Sequence, residues 1–176
     1  MASRRDIPFS LLVMPVIRVC LDIPAQVSYL EYEAQLQRQF DALLPLLERY
    51  GVTLGIQNHQ GRFVANAMGI RHLIEKYDRR YIGAVLDFAH CALHGEIPEL
   101  ALDIVWSHLC MVNFKNAYWQ RTNGFEALAA TYNHYWTSGR QGLASWERAT
   151  EELKRRGYSG PVCLTAEYSD EGQWIV

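Results

Sequence analysis

Short apolar segments alternate with helix-forming segments along almost the whole chain. The segments that predict strands cover residues 11–20, 52–59, 81–90, 108–116 and 160–168. The segments that predict helices cover residues 28–50, 65–77, 97–106 and 145–158. Such alternation with short joints is typical of a parallel sheet with crossover helices, and almost continuously apolar strands are typical of a sheet covered on both faces. The sequence therefore predicts an α/β fold with about five parallel strands.

Size and composition restrict the class of protein. The chain has 176 residues without a linker or low-complexity segment, so we expect a single domain over residues 1–176. The formal charge of -2 argues against a nucleic-acid partner or an anionic membrane surface. No apolar run reaches the roughly 20 residues of a membrane span. The four cysteines are far apart and form no C-x-x-C pair, which favours reduced thiols and a cytoplasmic location.

Polar side chains end each of the last four predicted strands. They are Gln57, Asn58 and His59; Asp87 and His90; Asn113, Lys115 and Asn116; and Glu167. One such ending means little, because loops begin with polar residues. Four consecutive endings favour a site, because the carboxyl ends of strands in a parallel βα array share the face where ligands bind. Carboxylate, amide and imidazole groups at one rim suit a divalent cation.

Five stretches of the chain resemble a known family. They read GVTLGIQNH, AVLDFAH, VNFKN, GRQGLASW and GYSGPVCLTAEY. In this order they resemble the sugar phosphate isomerase/epimerase family, which has the xylose-isomerase-like TIM barrel, over about residues 30–171. The resemblance implies a partial (β/α)8 barrel that matches strands four to eight of the family. It also implies a small sugar or polyol as the partner.

The resemblance implies a metal site of four ligands. Asp87 and Glu167 match two acidic ligands, whereas Gln57 and Asn113 stand where the family has Glu and His. A glutamine carbonyl can coordinate a hard cation but cannot accept a proton as a base, and an asparagine is a weaker ligand than an imidazole. We therefore expect a weakened site for a divalent metal such as Mn²⁺, Mg²⁺, Co²⁺ or Zn²⁺.

The resemblance also implies proton transfer next to a carbonyl, with Glu167 as the remaining carboxylate base. The partner acid would be one of His59, His90 and Lys115. The expected substrate-binding residues are Asn58, Asn116, Trp119 and Arg140. The last two belong to an aromatic-rich connection over residues 117–144, whose rings suit stacking on a sugar. The alternative is that this connection only packs over the rim of the barrel.

The length leaves two architectures and three functions open. A full barrel takes about 250 residues, so either two copies complete each other as a homodimer or the chain is part of a longer one. The first function is that of a metal-assisted isomerase or epimerase of sugars or polyols. The second is that of a non-catalytic sugar-binding module or an inactive truncated remnant. The third, a metal-dependent abasic-site endonuclease, needs a basic groove that a slightly acidic chain does not favour.

Overall fold

A five-stranded parallel sheet organises the chain, which the computed structural model describes over residues 16–169. The strands are β1 (Val16–Val19), β2 (Thr53–Gln57), β3 (Ile82–Asp87), β4 (Leu109–Phe114), β5 (Asn116–Arg121), β6 (Tyr132–Thr137) and β7 (Val162–Leu164). The sheet has the order β1-β2-β3-β4-β7, and every neighbouring pair is parallel. The predicted α/β fold is confirmed as half of a barrel with helices between the strands, a partial TIM barrel.

Five α-helices within residues 16–169 cover the sheet, and the sequence predicted all of them except the third. They are α1 (Tyr29–Tyr50), α2 (Ala67–Ile74), α3 (Phe88–Leu93), α4 (Pro98–Val105) and α5 (Trp146–Arg155). The sequence pattern S-x-x-E of residues 28–31 predicts a capping box for α1, and the structure confirms it: Ser28 Oγ accepts from the backbone N–H of Glu31, and the Glu31 carboxylate accepts from that of Ser28. The glycine at position 51 predicts the end of this helix, and Gly51 does end α1, in the left-handed conformation. No helix within residues 16–169 is long and apolar enough to span a bilayer.

Two predicted strands run at least three residues beyond the observed ends. The strand predicted over residues 81–90 stops at Asp87, and His90 lies in the first turn of α3 instead. Asp87 causes this change of structure, because its carboxylate accepts from the backbone N–H groups of Ala89 and His90 and so caps the helix. The last strand is shorter than predicted, so Glu167 lies in the segment that follows β7. Residues 11–15 of the first predicted strand lie outside the described residues.

The aromatic-rich connection contains an antiparallel hairpin that the sequence analysis did not predict. Its strands β5 and β6 pair from Asn116 opposite Thr137 to Arg121 opposite Tyr132. Trp136 of β6 packs against a small apolar cluster of α3 and β5, formed by Ala89, Leu93 and Ala117. This packing holds the hairpin over the carboxyl end of the sheet, so that β6 adds side chains to the rim.

The main core lies between the sheet and the helices. Its fully buried members include Ile56, Ile70, Leu73, Ile82, Leu86, Leu102 and Val112. Each such side chain stabilises the fold by about 2 kcal/mol relative to an exposed one. The core ends at the carboxyl ends of the strands, where polar residues replace apolar ones: Gln57, Asp87 and Asn113 are buried side by side on β2, β3 and β4.

Candidate active site at the carboxyl rim

A cleft of about 270 Å³ opens at the carboxyl ends of the parallel strands. It is lined by Arg18, Cys20, Gln57, His59, Asp87, His90, Asn113, Lys115, Thr165 and Glu167. The cleft therefore brings together the residues predicted as metal ligands, Gln57, Asp87, Asn113 and Glu167, and those predicted as catalytic, His59, His90, Lys115 and Glu167. Strands far apart in sequence supply them, as the parallel topology requires.

Asp87 forms the floor of the cleft and is completely buried. Its Oδ1 accepts from the N–H groups of Ala89 and His90 at 3.0 and 3.3 Å. Its Oδ2 accepts from Gln57 Nε2 at 3.2 Å and from Asn113 Nδ2 at 2.6 Å. Burial raises the pKa of the Asp87 carboxyl to about 6, although these hydrogen bonds oppose the rise. Both carboxylate oxygens are thus already held by donors of the protein itself.

The two amides determine how well this floor suits a cation. Gln57 and Asn113 direct their NH₂ groups at Asp87, and Asn113 Oδ1 accepts from the hydroxyl of Thr165 at 2.7 Å. Among residues 16–169 no group of three or more His, Cys, Asp or Glu side chains is arranged to hold a metal. An NH₂ group turned toward a carboxylate occupies the position that a cation would take. As arranged, these side chains do not fit a tightly held divalent metal.

Lys115 and Glu167 form an ion pair at the mouth of the cleft. Lys115 is buried with 4% exposure, and its ammonium lies 3.4 Å from the ring centroid of Trp136 on β6. The aromatic face stabilises the buried cation. The side chain of Glu167 is 49% exposed, so its carboxylate is accessible from solvent while Oε2 accepts from Lys115 Nζ. This pair offers a base and a cation within one small space.

Two imidazole rings form one wall of the cleft. The rings of His59 and His90 lie 4.0 Å apart between centroids. His90 Nδ1 accepts from the N–H of Gln60 at 3.0 Å. Burial, followed by the nearby His59 and Lys115, lowers the pKa of His90 to about 2, so this imidazole is neutral. His90 Nε2 lies 3.8 Å from Asp87 Oδ2, and because the ring is uncharged the two do not form an ion pair.

Two predicted substrate-binding amides are used inside the protein. Asn58 Nδ2 donates to the carbonyl of Asp87 at 3.0 Å and Asn58 Oδ1 accepts from its N–H at 2.8 Å, which ties β2 to β3. Asn116 Nδ2 donates to the carbonyls of Gly139 and Ala144, and its Oδ1 accepts from the N–H of Ala144 at 2.9 Å. Neither side chain lines the cleft, and a substrate contact by either stays a prediction.

Trp119 and Arg140 also lie away from the cleft. The indole of Trp119 donates to the carbonyl of Leu93 at 3.0 Å, and the residue is 39% exposed. Arg140 is exposed and lines a different depression, beside Trp146 at the start of α5. The structure therefore separates these two predicted sugar-binding residues from the catalytic candidates.

Sequence reasoning missed three residues of the site, Arg18, Cys20 and Thr165. Arg18 and Cys20 follow the same rule as the other strand ends, since β1 ends at Val19, and that rule applied to the first strand could have found them. Trp136 belongs to the aromatic-rich connection expected to stack on a sugar, but its contact with Lys115 was not predicted, because that contact depends on the pairing of β5 with β6.

Solved structures of other proteins share this half barrel. The IOLI protein with a bound zinc atom is 17% identical, with a TM-score of 0.67 over 88% of this chain and 55% of that one. The probable 3-DHS dehydratase AsbF from Bacillus anthracis is 15% identical, with a TM-score of 0.66 over 86% and 57%. The 3-keto-D-glucoside 4-epimerase YcjR from E. coli is 14% identical, with a TM-score of 0.65 over 89% and 57%. The chain thus spans little more than half the length of these proteins, and the likeness shows the fold.

The sequence itself matches a family pattern over nearly its whole length. The model of the family described as "Xylose isomerase-like TIM barrel" matches residues 10–175. No curated protein matches the chain. The parallel half barrel and the polar residues at its carboxyl rim agree with this match, and they confirm the resemblance seen in the strand-end motifs. The chain belongs to the xylose isomerase-like TIM barrel family.

Proposed function

We propose that the chain binds a small sugar or polyol at this rim and transfers a proton next to its carbonyl, as an isomerase or epimerase does. The observation that carries the proposal is the Lys115–Glu167 pair at the mouth of a cleft whose floor is Asp87. A half-exposed carboxylate beside a buried ammonium combines a reachable base with a fixed positive charge. These are the two groups that an enolisation needs.

The proton transfer follows from the positions of these two groups. The Glu167 carboxylate removes the proton from the carbon next to the carbonyl, and the electron pair of that C–H bond moves onto the carbonyl oxygen. The Lys115 ammonium stabilises the resulting enediolate oxygen. For isomerisation, the hydroxyl proton of the enediolate moves to the oxygen beside Lys115, and Glu167 returns its proton to the former carbonyl carbon, so that the carbonyl forms on the carbon first deprotonated. For epimerisation, Glu167 keeps the proton and a second donor protonates the original carbon from the opposite face while the carbonyl re-forms; His59 is the cleft residue of suitable chemistry for this donor.

Lys115 takes the electrostatic role in this proposal because the amides at the floor do not fit a tightly held cation. The zinc atom in the structure of the related IOLI protein supports a metal in a barrel of this kind. Weak binding of Mn²⁺, Mg²⁺, Co²⁺ or Zn²⁺ is therefore part of the proposal, and added metal is one arm of its test. A cytoplasmic location is also proposed, on the basis of the four free cysteines.

Solvent exchange tests the proposed function. The full chain is incubated in D₂O with a panel of ketopentoses and ketohexoses, with EDTA or with Mn²⁺, and deuterium next to the carbonyl is measured by NMR. We expect exchange into at least one sugar and a loss of about 100-fold or more in Glu167→Gln. Glu151→Gln on the exposed face of α5 is the matched control. Absence of exchange into any sugar under both conditions would overturn the proposal.

A second function, ligand binding without turnover, is favoured by the floor of the cleft. Gln57 and Asn113 lock Asp87 with NH₂ donors, which leaves the floor without a second carboxylate. A ketose that binds at this cleft, measured by NMR titration, without any solvent deuterium entering it would establish this function instead of the first.

A further inference from the structure

We propose that the floor of the cleft holds one neutral hydroxyl group of the ligand, between Gln57 Oε1 and His90 Nε2, in place of a divalent cation. The inference rests on the proposed function for the class of ligand, a sugar or polyol. The structural basis is a pair of buried polar atoms, one donor and one acceptor, that have no hydrogen-bond partner within residues 16–169.

The donor of this pair is His90 Nε2. His90 Nδ1 accepts from the backbone N–H of Gln60 at 3.0 Å, so Nδ1 carries no proton, and the neutral ring carries its proton on Nε2. The His90 side chain is about 1% exposed. Asp87 Oδ2, at 3.8 Å, is beyond hydrogen-bond distance. A buried N–H thus borders the cleft without an acceptor from the described part of the chain.

The acceptor of this pair is Gln57 Oε1. The orientation of the amide is determined by Asp87, because Nε2 donates to the Asp87 carboxylate at 3.2 Å and the reversed amide would place oxygen against oxygen. Gln57 is 5% exposed, so its Oε1 is shielded from solvent. No donor of the described residues reaches this oxygen. A carboxylate at this position would repel Asp87, whereas the amide leaves one free acceptor.

The two side chains line the same cleft on either side of Asp87 Oδ2, which lies 3.2 Å from Gln57 Nε2 and 3.8 Å from His90 Nε2. A hydroxyl group within hydrogen-bond distance of both unpartnered atoms satisfies them together. It accepts one hydrogen bond from His90 Nε2–H and donates one to Gln57 Oε1. A cation satisfies only the oxygen and is repelled by the N–H. An ordered water offers the same two hydrogen bonds as an alcohol, so the experiment has to distinguish a ligand hydroxyl from a trapped water. A ligand that lacks the hydroxyl leaves buried groups unpaired, which corresponds to roughly 5- to 150-fold in affinity.

The test is a titration of the full chain with xylitol in the presence of EDTA, measured by isothermal titration calorimetry. His90→Asn removes the Nε2 donor, while its side-chain oxygen can still accept from Gln60 N–H. Gln57→Met removes the acceptor at similar volume and leaves Asn113 on Asp87. We expect each variant to bind xylitol about tenfold or more weakly than the wild type. The matched controls His94→Asn and Gln120→Met, on exposed side chains, should bind as the wild type does.

Two outcomes overturn the inference. The first is xylitol affinity that is absent in EDTA or appears only with Mn²⁺. The second is an unchanged affinity for xylitol in both His90→Asn and Gln57→Met. This result would mean that a trapped water, and not a ligand hydroxyl, lies between Gln57 Oε1 and His90 Nε2. If His90→Asn unfolds, Gln57→Met and the long-range ¹H–¹⁵N spectrum of wild-type His90 decide: the Nε2–H resonance should shift with xylitol, and a proton on Nδ1 would contradict the proposal.

The same samples separate this inference from the proposed function. Deuterium exchange into ketoses depends on Glu167 and Lys115, whereas metal-free xylitol binding depends on Gln57 and His90. If xylitol binds more weakly to His90→Asn and Gln57→Met than to the wild type, and the wild type shows no deuterium exchange, the hydroxyl site is supported and proton transfer is rejected. If both variants exchange deuterium at the wild-type rate and bind xylitol with the wild-type affinity, proton transfer is supported and the hydroxyl site is rejected.

Discussion

The two carboxylates of the rim, Asp87 and Glu167, are held in opposite ways. Asp87 is fully buried and accepts four hydrogen bonds, from two backbone N–H groups and from the amides of Gln57 and Asn113. Glu167 lies after the last strand with a half-exposed side chain, and it pairs with Lys115. The first carboxylate joins three elements of the fold, whereas the second extends from an irregular segment.

This difference indicates that Asp87 mainly stabilises the fold, whereas Glu167 is available for a reaction. A carboxylate whose oxygens are both saturated within the protein has little capacity left for a ligand, and its removal leaves buried donors unpaired. A half-exposed carboxylate can be removed at little cost to the fold and at high cost to a reaction. Four changes test the difference between the Asp87 side and the Lys115–Glu167 side of the rim. The change with the largest expected effect on free energy comes first and the one with the smallest comes last.

Asp87→Ala should have the largest effect on the fold. The change removes the cap of α3 and leaves the NH₂ groups of Gln57 and Asn113 without an acceptor. Because the variant no longer has to bury a carboxylate, part of this loss of stability is offset. We expect the free energy of unfolding to fall by about 2 to 4 kcal/mol in chemical denaturation. Glu167→Ala is the matched control, and equal losses in the two variants would contradict the contrast.

The double variant Gln57→Glu with Asn113→His should create a metal site where the amides now lock Asp87. It adds one negative charge and one imidazole beside Asp87. We expect the affinity for Mn²⁺ to rise by about 100-fold or more, because even outer-shell partners change metal affinity by about 10- to 100-fold. Calorimetry with Mn²⁺ measures this. Gln35→Glu with Asn133→His makes the same changes on exposed side chains and should bind no better than the wild type.

Trp136→Leu should lower the stability of the protein, because the ring of Trp136 stabilises the Lys115 ammonium on the other side of the rim. The ammonium loses the ring centred 3.4 Å away. A double-mutant cycle with Lys115→Met in chemical denaturation should give a coupling free energy of about 0.5 to 2 kcal/mol. The same cycle with Tyr132→Leu, an exposed ring on the same strand, should give no coupling. Zero coupling for Trp136 would show that the ring does not stabilise the cation.

Glu167→Gln should have the smallest effect on stability. Its partner is buried but its own side chain is half exposed, so the pair is screened by solvent. We expect the free energy of unfolding to change by less than about 0.5 kcal/mol, in the same variant for which we expect deuterium exchange to be lost. A loss as large as that of Asp87→Ala would place Glu167 among the structural carboxylates.

Local signals in the sequence predicted the elements well where neighbours along the chain determine them. The capping box of Ser28 and Glu31 and the glycine end at Gly51 were confirmed because these contacts span only a few residues. The strand through Asp87 was predicted too long, because the capping role of its carboxylate competes with continuation of the strand. The hairpin of β5 and β6 was missed, because it forms from an aromatic segment with no alternation of apolar and polar residues clear enough to indicate it.

The sequence by itself determined that carboxylate, amide and imidazole groups meet at one rim, because parallel strands place all their carboxyl ends on the same side. Only the tertiary structure decided what each group does there. The direction of an amide is determined by partners about 30 residues away, as with Gln57 and Asp87. The same holds for Asn116, whose amide holds the backbone around Ala144, and for Lys115, which lies under a ring from the hairpin. Such orientations follow from packing and burial, which no local pattern in the chain encodes.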